Sequence, residues 1–211
     1  MRVELWVDLV CPWCPIGMRR LETALDHLGH DFATTVALHS LPLTPPVPYR
    51  PGRLLPAHVA AAGLPPAQVE QRIAYVGALA AAEGLAYRLE LARPVDTFDA
   101  HRLTHWAGRH GLRPALTERL ARAFTGEGLD LSDPDTLVEL ATQVGLEADP
   151  ARTVLAGDAH AAQVRAEARR GGELGAAGVP FLAVDGRPWA AGMRETAELV
   201  RLLEAALASP A

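Results

Sequence analysis

Cysteine is nearly absent from this chain: its 211 residues include only two, which argues against a framework of structural disulfides. Long apolar runs are missing as well. The longest stretches, such as Ala78 to Ala82, fall far short of the roughly 20 residues a bilayer-crossing helix requires, so no membrane span is expected. There is no block of like charge and no low-complexity tract. The formal net charge of -5 comes without the basic patch that a nucleic-acid partner demands, and an acidic balance by itself says little about substrate. Met1 to Trp6 shows no basic start, apolar stretch and small-residue cleavage site of a secretory signal, which sets the expectation of a cytoplasmic protein. In such a reducing compartment, two cysteines three positions apart point to redox catalysis or metal binding.

What remains is a globular composition, 49% hydrophobic and 21% charged, sufficient to bury an ordinary core in one domain or in a domain carrying a substantial insertion. Val3, Leu5, Val7 and Leu9 alternate with Glu4, Trp6 and Asp8, the period of a strand ending just before Cys11. Met18, Leu21, Leu25 and Leu28 then recur at helical spacing, predicting a helix from Pro15 to Leu28 with Gly29 at its C-terminus. Phe32 to Leu38 reads as a second strand, and the proline-rich run Leu41 to Pro48 opens a long loop. From about Pro65 to Gly171 nearly everything reads as helix. Asp133-Pro134 and Asp149-Pro150 are start signals, with the aspartate as N-cap, and Gly84, Gly111 and Gly145 are stop signals. Strands return at Val179 to Val184 and Pro188 to Ala191, joined by an Asp185-Gly186 turn, and a last helix is expected from Met193 to Leu207. The order is strand, helix, strand, helical block, two strands and a helix, with no internal repeat.

Cys11-Pro12-Trp13-Cys14 carries the chemistry. A Cys-x-x-Cys at a strand-to-helix junction sets the first sulfur near free helix N–H groups, where a thiolate is favoured. Cys11 is then the attacking thiol, and Cys14, one turn further in, resolves the mixed disulfide. Pro12 restricts the backbone, and Trp13 offers an apolar ring without the charge a histidine would add, predicting a milder oxidant than a Cys-Pro-His-Cys protein. Two other readings compete. The cysteines can be small core residues, or Cys11 and Cys14 with His27 and His30 can form a zinc site of Cys-x2-Cys-x12-His-x2-His spacing. Against zinc stand the short histidine spacing and a helix that carries His27 and His30 away from the cysteines. No metal is therefore assigned.

These segments make the chain recognisable. Asp8 to Cys14 with Ile16-Gly17, Asp96 to Leu103, Gly126 to Ser132 and Gly178-Val179-Pro180-Phe181 resemble the DsbA-like thioredoxin-fold proteins, most closely their FrnE-like cytosolic branch, across essentially the whole chain. The resemblance implies an α/β, thioredoxin-like fold with a large all-helical insertion between a β-α-β half (1–48) and a β-β-α half (171–211), the insertion and its connecting loop spanning 49–170. It implies that Pro180 is a cis-proline opposite the cysteines, leaving the Val179 backbone to pair with an extended substrate. Phe98, His101 and Arg102 become candidates for lining the groove, against the alternative of a packed Phe98 with solvated His101 and Arg102. Asp8 becomes a candidate for tuning the resolving thiol or relaying its proton, against a purely structural role.

The chain departs from the family pattern at Pro15, Leu43-Thr44-Pro45 and Gly192-Met193-Arg194. The implied activity is thiol–disulfide exchange or dithiol–disulfide isomerisation with protein or small-molecule thiols and disulfides. No cofactor beyond the redox disulfide is implied, with glutathione a candidate co-substrate. The alternatives are a glutathione-dependent isomerase or transferase, related to 2-hydroxychromene-2-carboxylate isomerases and kappa-class transferases, and a zinc-stabilised, non-catalytic binding module. Relatives of the former carry serine where Cys11 stands. An exposed apolar groove would serve clients or a homodimer.

Overall fold

The computed structural model describes residues 1–29, 34–45 and 47–208. The alternating segment at the start forms strand β1 (Arg2–Val7), and the apolar stripe after it forms helix α1 (Trp13–Leu28). The chain returns as β2 (Thr35–Ser40), parallel to β1 with Leu5 opposite Leu38. Much later, β3 (Phe181–Val184) and β4 (Arg187–Ala191) form a hairpin through the Asp185–Gly186 turn, both turn residues at positive φ. Strand β3 pairs antiparallel with β1, giving the order β2-β1-β3-β4, and α9 (Thr196–Ala208) follows. Between the halves lie α2 (Leu55–Ala61), α3 (Pro66–Ala82), α4 (Phe98–Gly108), α5 (Arg113–Arg122) with a π-helical turn at Ala123–Glu127, α6 (Pro134–Gln143), α7 (Ala148–Ala156) and α8 (Ala161–Glu173). The architecture is the α/β fold with a helical insertion that the sequence implies.

Stop signals in the block act as expected. Gly84, Gly111 and Gly145 take positive φ after α3, α4 and α6. The next residue, each time a leucine, donates its N–H back into the last turn: Leu85 to Ala80, Leu112 to Ala107 and Leu146 to Ala141. That is the Schellman closure, in which a left-handed residue lets the chain fold over orphan carbonyls. Asp133 caps α6 by accepting from the Thr136 N–H at 3.0 Å.

Other boundaries differ from expectation. Helix α1 begins at Trp13 rather than Pro15, because Pro12 already holds φ at -69° and leads into the first turn. Cys14 is thus inside the helix. Of the expected second strand, Phe32 and Ala33 lie outside the described residues, and the strand runs on to Ser40. The long loop is broken by α2, seven residues with a proline in the first turn, too short to announce itself by periodicity. Asp149 is not an N-cap: α7 starts at Ala148 after Glu147, and Asp149 and Pro150 occupy its first turn, where a proline is tolerated. Helix α9 begins three residues later than Met193, since Gly192 is at positive φ and the chain is still turning.

Each face of β1 has its own cover. Val3, Leu5 and Val7 point into a core shared with Leu21 and Ala24 of α1 and Leu199 and Leu203 of α9. Glu4 and Trp6 point the other way and are also fully buried, beneath α8. A charged residue can be buried only with partners, and Glu4 has them: His39 at 3.1 Å and Arg170 at 2.9 Å. Beyond His39 stands Glu167, 3.1 Å from His39 Nδ1, 3.0 Å from His105 Nε2 and 2.7 Å from Arg113. The Trp6 indole stacks on His39 with centroids 4.5 Å apart and donates to the Glu167 carbonyl at 2.9 Å. Burial works to raise the Glu167 carboxyl, but contacts from His105, His39 and Arg113 outweigh it and hold the group well below the usual carboxylate range.

Replacing Glu167 with Gln leaves Arg113 and His105 without their shared anion, and should cost about 3 kcal/mol at neutral pH, read from urea unfolding. Because the folded-state pKa is depressed, this stabilisation is fully present above the unfolded carboxyl value of about 4.3, declines progressively as pH falls below it and is lost only once pH passes the far lower folded value. The gap between wild type and E167Q should therefore narrow in acid, and a gap equally wide at about pH 3 and pH 7 would contradict this account of the network.

Candidate active site

Strand β1 ends by delivering its last residues into a tight turn. Cys11 N–H donates to the Asp8 carbonyl at 3.3 Å, Cys14 N–H donates to the Cys11 carbonyl at 3.2 Å, and α1 starts within that turn. The N-terminus of α1 has no side-chain cap and no acidic residue in its first turn. Its free N–H groups and the positive end of its dipole therefore face the Cys11 region without competition. The cysteines are free thiols lying 3.5 Å apart, well beyond the roughly 2.05 Å of a disulfide bond but close enough to form one with little movement.

The two sulfurs have different surroundings. Cys11 is 4% exposed and reaches across to the Val179 carbonyl, 3.6 Å from its Sγ. Cys14 is 1% exposed. Burial, a hydrogen bond with Cys11 and repulsion from a Cys11 charge push the Cys14 thiol well above its ordinary value, only partly offset by the Asp8 backbone N–H. Cys14 therefore holds its proton at neutral pH.

Val179–Pro180 is a cis peptide, at the entrance to β3. Pro180 is buried against α1, where a side chain on Gly17 would meet the proline ring at 3.1 Å. Glycine at this point of the helix lets the proline loop come close enough for Val179 to touch Cys11. Pro12 and Trp13 are half-buried, and Trp13 packs against both the sheet core and the helical core. The Pro12 carbonyl accepts from the Tyr87 hydroxyl at 2.8 Å. Tyr87, whose own ionisation is pushed up by burial and by the nearby cysteines, ties the cysteine turn to the loop between α3 and α4.

Asp8 sits behind the turn, 1% exposed. Its carboxyl accepts from Leu9 N–H at 2.7 Å, Leu43 N–H at 2.8 Å and the Thr97 hydroxyl at 2.7 Å, and stands 3.1 Å from His101 Nε2. It also contributes electrostatically to holding the Cys14 proton. His101 is thus brought to the back of the cysteine turn through Asp8. Arg102 is not brought there: its guanidinium donates to the carbonyls of Ala159, Val154 and Gly157 and to Asp99, which clamps the junction of α7 and α8. Phe98 is half-buried under the Arg165 guanidinium, 4.9 Å from the ring centroid. Both His101 and Arg102 are buried, so the picture of solvated side chains does not hold. The reason is the helical packing of α4 against α7 and α8, which periodicity alone does not reveal.

Among the described residues, no group of three or more His, Cys, Asp or Glu side chains is placed to hold a metal, and no helix is long and apolar enough to cross a membrane. His27 ends α1, about 20 Å along the axis from Cys14 at helical rise, its ring bonded to the Thr23 carbonyl at 2.7 Å. His30 lies outside the described residues. Sequence reasoning missed Tyr87, a lone tyrosine in an irregular segment, and Leu43, which acts only through its backbone N–H. Thr97 stood inside the quoted Asp96 to Leu103 segment, but no feature of the sequence tied it to Asp8.

The DSBA-like thioredoxin domain matches residues 2–204 of the chain. A probable DsbA oxidoreductase from Streptomyces coelicolor superposes with a TM-score of 0.94 at 35% identity, over 100% of this chain and 92% of that one. The cytosolic disulfide reductase DsbM from Pseudomonas aeruginosa, in a structure with GSH, superposes at 0.67 and 19% identity, over 99% of this chain and 100% of that one. A 2-hydroxychromene-2-carboxylate isomerase does so at 0.67 and 16%, over 99% and 95%. The likeness to these last two is one of fold. No curated protein matches the chain.

Native reduced protein treated with iodoacetamide near pH 7.5 should take up one carbamidomethyl group, on Cys11, with Cys14 modified only after unfolding. Peptide mass spectrometry reads this directly, and Cys14 labelled first would contradict the proton assignment. Tyr87→Phe should remove the hydroxyl donor from the half-buried Pro12 carbonyl and lower stability by about 1 kcal/mol in denaturant titration.

Proposed function

The chain belongs to the DSBA-like thioredoxin domain family, and from that premise we propose that it is a thiol–disulfide oxidoreductase with Cys11 as nucleophile and Cys14 as resolving thiol. The observation that carries this reading is the asymmetry of the pair: two free sulfurs 3.5 Å apart, the inner one held protonated. Exchange starts when the Cys11 thiolate attacks one sulfur of a substrate disulfide. A bond forms from Cys11 Sγ to that sulfur, the substrate S–S bond breaks, and the second substrate sulfur leaves as a thiolate that takes a proton. Cys14 then loses its proton and attacks Cys11 Sγ. An intramolecular disulfide forms, and the remaining substrate thiolate departs. The substrate gains two electrons and two protons, and the protein dithiol loses them; run backward, the same steps oxidise a dithiol.

The geometry supplies timing for the second step. Two of the influences that keep Cys14 protonated, the hydrogen bond and the charge of Cys11, belong to Cys11 as a free sulfur. Both vanish once Cys11 is tied up in a mixed disulfide, so Cys14 becomes easier to ionise when it is needed. The Val179 carbonyl beside Cys11 lies where an extended substrate backbone can pair. Behind the turn, Asp8 with His101 and Thr97 holds the loop and biases the Cys14 proton.

Partners under this proposal are protein or small-molecule thiols and disulfides in the cytoplasm. Glutathione fits as co-substrate by analogy with the DsbM fold, which is described with GSH. An isomerase or transferase reading needs no second sulfur, and nothing in the arrangement of Cys14 favours it. Cys14→Ser should accumulate mixed disulfides through Cys11 that are released by dithiothreitol, while Cys11→Ser should accumulate none. Equal trapping by both variants would overturn the assignment of roles.

A further inference from the structure

Beside the cysteines lies a groove of about 210 Å³ that no step of the exchange reaction requires. Pro12 and Trp13 form one wall, and α2 and α3 supply Val59, Val69, Ile73 and Val76. Tyr75, 60% exposed, stands at its edge with its ring 6.3 Å from that of Trp13. An apolar cavity of about 150 Å³ already accepts benzene, so this groove has room for one ring or a short alkyl chain with a few atoms more. Apolar side chains make up the whole lining apart from Arg72.

That arginine is solvent-exposed and stands outside the chain's internal ion-pair networks. Arg20, Arg102, Arg113 and Arg119 are all committed to carboxylates within the chain. Among the described residues, the Arg72 guanidinium has no ion-pair or hydrogen-bond partner. A single unpaired cation on an apolar groove calls for a ligand with an apolar body and one anionic end. The wall of Pro12 and Trp13 sets such a ligand against the two residues that separate the cysteines.

We propose that this groove is a substrate subsite for small organic thiols and disulfides bearing an aryl or alkyl body and a carboxylate, the body against Trp13 and Ile73 and the carboxylate on Arg72. The assignment of the occupant as substrate rests on the exchange reading, whereas the binding does not. Calorimetric titration of the full chain with phenylbutyrate and its neutral analogue phenylbutanol tests the site without redox chemistry. Phenylbutyrate should bind saturably and more tightly, Arg72→Gln should weaken it about tenfold and leave phenylbutanol unchanged, and either Val59→Trp or Ile73→Trp should fill the groove and abolish both. Absence of saturable binding, or equal affinity for the two compounds regardless of Arg72, overturns the proposal.

The substrate claim is read from reduced protein reacting with dithiobis(nitrobenzoate), an aromatic disulfide dicarboxylate, and with hydroxyethyl disulfide. Arg72→Gln should slow the first about tenfold and leave the second unaltered. Equal slowing of both, or of neither, overturns the subsite. Failure of Cys11 to react with hydroxyethyl disulfide at all would instead sink the exchange reading and the substrate claim with it.

Discussion

A polar side chain withdrawn from water must find hydrogen-bond partners or destabilise the fold by several kcal/mol. Asp8 meets this requirement at the end of the central strand, and its partners come from separate stretches of chain. Leu9 is its neighbour, Leu43 belongs to the loop after β2, and Thr97 and His101 begin α4. The helical block is thereby pinned to the sheet at the back of the Cys11–Cys14 turn. Tyr87 adds a second pin on the Pro12 carbonyl, and Trp13 bridges the two apolar cores. The cysteine turn therefore sits on a seam, fixed from both sides, and its shape does not depend on the turn's own sequence alone.

The same demand operates on the far face of the sheet. Glu4 and Glu167 are paired with His39, His105, Arg113 and Arg170, and Trp6 lies across the group as an apolar lid. Such an array is a weak source of net stability compared with apolar packing, because desolvation of the ions offsets much of their attraction. Its value is geometric, since α8 can lie on β1 and β2 in only one register that satisfies every group.

How much of this could be read from the residues depended on sequence distance. Cys11-Pro12-Trp13-Cys14, the alternation in β1 and the stripe of α1 are local signals, and the turn at Asp185-Gly186 and the stop glycines act over a few positions. All are legible. The pairing of Glu4 with Arg170, of Asp8 with His101, and of Pro12 with Tyr87 joins residues 75 or more apart, and no local pattern announces such partners. The misplaced cap shares that cause: Asp149-Pro150 looked like a cap because the pair is locally suited to one. For His101 and Arg102 the sequence left a groove-lining and a solvated reading open, and only contacts distant in the chain decide where they go.

Helix α4 carries two histidines with carboxylate partners on one flank: buried His101 meets Asp8, and part-buried His105, one turn on, meets Glu167. An element with two such appointments can neither slide nor roll without breaking one of them. Evolution can lengthen or trim the connections among α5, α6 and α7 with little consequence, but a single residue gained or lost between Thr97 and His105 would rotate one histidine about 100° off its partner. The short span of α4 is thus where the chain's history should show the least drift in length, whatever substitutions accumulate around it.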